Sequence, residues 1–158
     1  MTPEEYLELG LSYIKEKNWE RARDALLESQ KRFEGRPPGS TPPLFFSALG
    51  LSLAMVEKKF EVGESYCRQA IAMEPYRAEL YFHLGLIYLE GKKKGKAILI
   101  FRRGLKLDPN HPGMLERLKR LGVRRRWVIT FLPRLHFLNK YLGMWLHRRT
   151  SKNPKRRI

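Results

Sequence analysis

Gly10, Gly50 and Gly85 each follow a leucine, and each stands four residues after an aromatic side chain, Tyr6, Phe46 and Tyr81. A glycine inside a helix costs about 1 kcal/mol against alanine. Its return in one sequence frame therefore marks places where two helices must cross closely. A repeat of this kind dictates the architecture, because each unit buries its apolar face only by stacking on the next. The glycines are 40 and then 35 residues apart, and the excess falls in Gly35–Pro43, Gly-Arg-Pro-Pro-Gly-Ser-Thr-Pro-Pro. That stretch is expected to be a stiff loop, with Thr41 capping the following helix and Pro42 in its first turn.

In the clearest copy Tyr81, Leu84, Gly85, Tyr88, Ala97, Phe101 and Pro109 fall at the spacings W-x2-L-G-x2-Y, A-x3-F and P, with tyrosine for tryptophan. Another copy holds Tyr6, Leu9, Gly10, Tyr13, Trp19 and Ala22, with Leu26 for the aromatic and Glu34 for the proline. A third has Phe46, Leu49, Gly50, Phe60, Ala70 and Pro75, one extra residue between its halves, and Gly63 where alanine is usual. In these positions the chain resembles the tetratricopeptide-repeat family. The resemblance covers residues 3–111, in copies at about 3–36, 44–77 and 78–111. It implies an all-α fold, a short right-handed solenoid of three helix-turn-helix repeats. Ala22, Ala70 and Ala97 are expected to meet the three glycines from the second helices. Gly91 is expected to close one helix, and Asp108-Pro109-Asn110 to break the next. Pro112 opens a further helix over 112–122, whose Met114, Leu115, Leu118 and Leu121 make an apolar stripe suited to capping the array.

In that family the first helix of each repeat lines a concave groove that receives a peptide or helix from a partner protein. The positions that carry over are Leu7, Leu11 and Ile14, then Leu44, Ser47, Leu51 and Met55, then Glu79, Phe82, Leu86 and Leu89. Chaperone-binding members clamp a terminal carboxylate with Lys, Asn and Arg. The matching positions here hold mainly Leu, Ser, Glu and His83, so the resemblance does not extend to that ligand class. The stretches 44–56 and 79–89 are apolar nearly all round, and such helices need cover on every side. Neighbouring repeats supply part of it, and what they leave uncovered is a binding surface.

Charge divides the chain. Residues 1–111 hold 18 Lys/Arg against 15 Asp/Glu, whereas residues 112–158 hold 14 against one. The extension 123–158 begins with Arg124, Arg125 and Arg126 and ends in a run containing Arg148, Arg149, Lys152, Lys155, Arg156 and Arg157. Between the clusters, Trp127 precedes Pro133, and Leu135, Leu138, Tyr141, Leu142 and Trp145 fall on one helical face. Three roles stay open for this segment. It folds back over the array, or lies on an anionic membrane surface with its tryptophans flanked by cations. Alternatively it attracts an acidic partner such as nucleic acid, although no base-reading motif accompanies the charge. Its prolines and charges argue against a membrane-spanning helix. A homodimer through a bare groove or an exchanged tail is a further expectation.

No catalytic constellation stands out, and neither a metal nor another cofactor is expected. His83, His111, His136 and His147 are scattered, and Cys67 is the single cysteine. Cys67 occupies the frame of Phe101 and is expected as a buried small apolar residue. Gly91-Lys-Lys-Lys-Gly95-Lys96 lacks the spacing and the Ser/Thr of a phosphate-binding loop, and is expected to be the turn inside the third repeat. A sole cysteine and the lack of a secretory signal pattern fit a cytoplasmic, or membrane-peripheral, setting.

Overall fold

Local signals set where each helix begins. In the computed structural model, which describes residues 1–37 and 39–122, there are seven α-helices among the described residues. They are α1 (Pro3–Lys15), α2 (Trp19–Phe33), α3 (Pro43–Val56), α4 (Phe60–Met73), α5 (Ala78–Glu90), α6 (Lys94–Leu107) and α7 (Pro112–Arg120). α1 starts with a reciprocal box: Glu5 N–H donates to Thr2 Oγ1 at 3.2 Å, and Thr2 N–H donates to Glu5 Oε2 at 2.9 Å. Asn18 Oδ1 accepts from Arg21 N–H to start α2, and His111 Nδ1 accepts from Met114 N–H to start α7. α3 departs from expectation. Thr41 does not cap it; Pro42 is the N-cap and makes no side-chain bond. Pro43 excludes the helical region for the residue before it, so Pro42 is held extended at ψ 141° and the helix opens one residue later.

The helices pair as hairpins, α1 with α2, α3 with α4, and α5 with α6, and successive hairpins stack through α2–α3, α3–α5 and α4–α5 contacts. The recurrent glycines permit the crossings. A Cβ on Gly10 would stand 2.7 Å from Leu26 Cγ, and one on Gly85 would overlap the Phe101 ring. In the middle hairpin glycine faces glycine: a Cβ on Gly50 would meet the Gly63 carbonyl oxygen at 2.9 Å. Gly63, not Ala70, is therefore the counterpart of Ala22 and Ala97. The turns inside the three hairpins are equally long, and the extra residue of the second repeat lies in α3, which runs one residue further past its glycine; Gly63 thus stands where alanine is usual, and Ala70 occupies the position of Ser29 and Gly104.

The core follows the stack. α3 buries Phe45, Ala48, Leu49, Leu51 and Ala54 together with two serines, whose hydroxyls donate to carbonyls of their own helix, Ser47 to Leu44 and Ser52 to Ala48. α7 closes the array by setting Met114 against Gly104, where a Cβ would collide with the thioether. Met114 and Leu118 of the expected stripe are buried, Leu121 is half-exposed and Leu115 is 43% exposed, because α7 meets the array along one narrow edge. The basic residues Arg124–Arg126, Arg148, Arg149, Lys152, Lys155, Arg156 and Arg157 lie outside the described residues. So do Trp127, Leu135, Leu138, Tyr141, Leu142 and Trp145.

Candidate functional site

The first helices α1, α3 and α5 bring the expected groove positions to the array in two states. Leu7, Ile14 and Leu86 are buried, and Ser47 and Leu51 have no exposure at all. These five belong to the packing between helices and offer no open surface. Leu11, Leu44, Met55, Glu79, Phe82 and Leu89 are half-exposed. Phe82 is also held from the α7 side: its ring lies 4.9 Å from that of His111, and a Cβ on Gly113 would approach Phe82 Cζ at 2.6 Å. The apolar side chains left partly uncovered are thus Leu11, Leu44, Met55 and Leu89, a thinner stripe than the sequence pattern marks.

A polar chain runs through the same helices. Ser47 Oγ on α3 is 3.0 Å from His83 Nδ1 on α5. His83 Nε2 is 3.4 Å from Glu79 Oε1, and Glu79 Oε2 is 3.1 Å from His111 Nε2 in the turn before α7. Because Met114 N–H donates to His111 Nδ1, the proton of that ring sits on Nε2 and points at Glu79. The hydrogen bond from His83 holds the Glu79 carboxyl down to about 2; His111 adds to the effect and burial opposes it. Three elements are joined through one carboxylate. The sequence carried a partial signal, since Glu79 and His83 are four apart on one helix face, but it gave no means of placing Ser47 and His111 against them.

The tetratricopeptide-repeat family model matches residues 6–34 and 78–111. Both matched segments are tetratricopeptide repeats. No curated protein matches it in sequence. Among solved structures it is similar to the tetratricopeptide-repeat domain of Arabidopsis OM64, at 20% identity, TM-score 0.57, covering 77% of this chain and 94% of that one. It is similar also to the first such domain of Spaghetti (RPAP3) bound to the HSP90 peptide SRMEEVD, at 21% identity and TM-score 0.57, covering 77% and 93%. The second such domain of human RPAP3, in complex with the HSP70 peptide SGPTIEEVD, matches at 18% identity and TM-score 0.54, covering 77% and 99%. At these identities the likeness is one of fold.

Within this tetratricopeptide-repeat array, Ser47, His83 and Glu79 have the composition of a hydrolytic triad but not its access. Ser47 is fully buried, and its hydroxyl donates to the Leu44 carbonyl and packs against His83 Nδ1, so the hydroxyl meets no substrate. Cys67 is buried too, with Sγ 3.6 Å from the Ser47 carbonyl, and burial pushes its thiol far above the usual range. Of the lysine-rich segment 91–96, Gly91, Lys92 and Lys93 form the turn from α5 into α6, and Lys94, Gly95 and Lys96 are already the first turn of α6. No helix of the described residues is long and apolar enough to cross a membrane.

Proposed function

We propose that the chain is a non-catalytic protein-interaction scaffold that receives an apolar peptide or helix on the side lined by α1, α3 and α5. The observation that carries this is the row Leu11, Leu44, Met55 and Leu89, apolar residues on first helices that the packed array leaves half-uncovered. The similar RPAP3 domains hold HSP90 and HSP70 peptides, which supports a peptide as the ligand. Those peptides end in acidic residues, whereas the stripe here is apolar, so the ligand chemistry assigned to this chain is different. Residues 123–158 add a second element to the reading. With Trp127, Leu135, Leu138, Leu142 and Trp145 among many cations, this segment serves either to cover the groove in the free protein or to engage an acidic partner, a membrane surface or a nucleic acid.

Selection from a displayed random-peptide library against the full chain tests the reading. Selected peptides are expected to carry apolar residues at helical spacing and to bind Met55→Lys/Leu89→Lys at least about ten-fold more weakly. A chain ending at Gly122 is expected to bind them more tightly if the basic segment covers the groove, and equally if it does not. Peptides indifferent to the double substitution would place the binding surface elsewhere.

A further inference from the structure

The array has a second cleft, on the side formed by the second helices. It lies between α4 and α6 with α5 as its floor, and its volume is about 370 Å³, within the range of roughly 300–1,000 Å³ typical of ligand sites. Ile71, Leu84 and Ile100 make it apolar, and Arg68, Arg103 and Lys106 stand among its lining residues. Among the described residues, no acidic side chain lines it.

The preceding hairpin junction is an internal control, because it repeats the same geometry with different residues. There the cleft between α2 and α4 is about 190 Å³, and Phe46 and Tyr66 occupy it as a stacked pair with centroids 6.4 Å apart. In the common register, Arg68, Arg103 and Lys106 replace Leu27, Gln69 and Ala72 of the earlier junction. The later junction keeps one aromatic, Tyr81 in the place of Phe46, has Ile100 in the place of Tyr66, and carries three cations, so its charge is not a by-product of repeat packing. Arg68 is already engaged, donating to Glu64 at 2.9 Å and to the Tyr88 hydroxyl at 3.0 Å. Arg103 and Lys106 make no ion pair among the described residues. Leu107, at one edge of the cleft, is 39% exposed, and Leu99, also on α6, is 53% exposed.

We propose that this cleft is a second docking site, for an acidic protein segment that inserts one large apolar side chain between α4 and α6 while its carboxylates meet Arg103 and Lys106. Charge complementarity selects the occupant. Residues 123–158 contain no Asp or Glu, so that segment has no side-chain carboxylate to offer the two cations. A nucleic acid would satisfy the charge, but a base inserted among Ile71, Leu84 and Ile100 would bury its polar edge against apolar side chains, which an apolar amino-acid side chain avoids. The site is independent of the groove proposed above, because its residues come from α4, α6 and a different face of α5.

Fluorescence anisotropy on the full chain decides it, with a labelled peptide of Asp and Glu around one Trp and a control with Ser in place of the Trp. The Trp peptide is expected to bind about ten-fold more tightly than the control. Arg103→Glu/Lys106→Glu is expected to weaken it by at least about ten-fold. Ala72→Phe, which fills the cleft, is expected to weaken it similarly while the protein melts no earlier than wild type. Leu89→Lys, in the other groove, should change nothing. Equal binding of the Trp and Ser peptides overturns the proposal, since charge alone would then suffice. So does unchanged binding by Arg103→Glu/Lys106→Glu, which would assign the peptide to the basic segment 123–158. Tighter binding of a short oligouridylate, abolished by the same double substitution, reassigns the face to nucleic acid and equally overturns it.

Discussion

At the scale of single residues, two glycines of the third repeat behave oppositely because their surroundings differ. Gly85 lies where a Cβ would overlap Phe101, a ring with no exposure and no room to retreat. Replacing it by alanine returns about 1 kcal/mol of helix propensity and incurs about 1–3 kcal/mol of overpacking. Gly95, inside α6, has no atom within 4 Å of where its Cβ would be, so alanine there brings only the gain. Gly85→Ala is therefore expected to lower the urea midpoint and Gly95→Ala to raise it. A Gly85→Ala midpoint at or above wild type would mean that the Phe101 ring moves aside freely. The need for glycine at position 85 was legible in its spacing, since a helix-breaking residue kept in frame has a packing reason. The dispensability of Gly95 was not, because it depends on empty space that only coordinates define.

At the scale of elements, most of the fold followed from the sequence and the exceptions are instructive. The stretches 44–56, 79–89 and 112–122 read from apolar pattern and prolines differ from α3, α5 and α7 by at most two residues at either end. The second repeat misled because α3 runs one residue further past its glycine than α1 and α5 do, and the small residue at the crossing is Gly63 and not Ala70. The turns also contain a feature that composition conceals. Lys17, Lys58 and Lys92 stand at one place in the three hairpins, and each has a positive φ, of 61°, 56° and 59°. Gly91, expected to close α5, ends it with a negative φ, and the left-handed residue is its neighbour Lys92. Lys92 N–H donates to Leu89 O at 3.0 Å and Lys93 N–H to Tyr88 O at 2.8 Å, the pair of bonds that ends a helix through a left-handed residue. A side chain in that conformation is strained by about 1–2 kcal/mol, of which glycine's greater unfolded-state freedom cancels part. Lys92→Gly is expected to stabilise the protein by about 0.5–1 kcal/mol, whereas Lys92→Ala, which keeps the Cβ, should not. Equal melting temperatures for the two variants would show that the turn stores no such strain.

At the scale of the whole molecule, the sequence located the apolar stripe but overstated its width, because periodicity cannot separate a residue facing the next helix from one facing solvent. Ser47, Leu51 and Leu86 carry the same spacing signal as Leu11 and Leu89, yet stacking of the hairpins buries them. The polar chain was invisible for the complementary reason: its members come from α3, α5 and the turn before α7, and only the stack brings them together. That chain gives the array a defined response to acid. Glu79 titrates at about 2 in the folded state, against an ordinary value of 4.5. A depressed folded-state pKa contributes stability that is fully present above the unfolded-state value and disappears as pH falls through the folded-state one. The window for this group is therefore between about pH 4.5 and pH 2. Glu79 is 43% exposed, so water screens the interaction and the contribution is well below that of a fully buried pair. Glu79→Gln cannot ionise. It is expected to have a lower urea midpoint than wild type at neutral pH and a shallower loss of stability across that acid window, so that the two curves converge near pH 2. Parallel curves would mean that the carboxylate between His83 and His111 does not couple α5 to α7, and that the packing of Met114 on Gly104 and of Phe82 on Gly113 holds the closing helix in place.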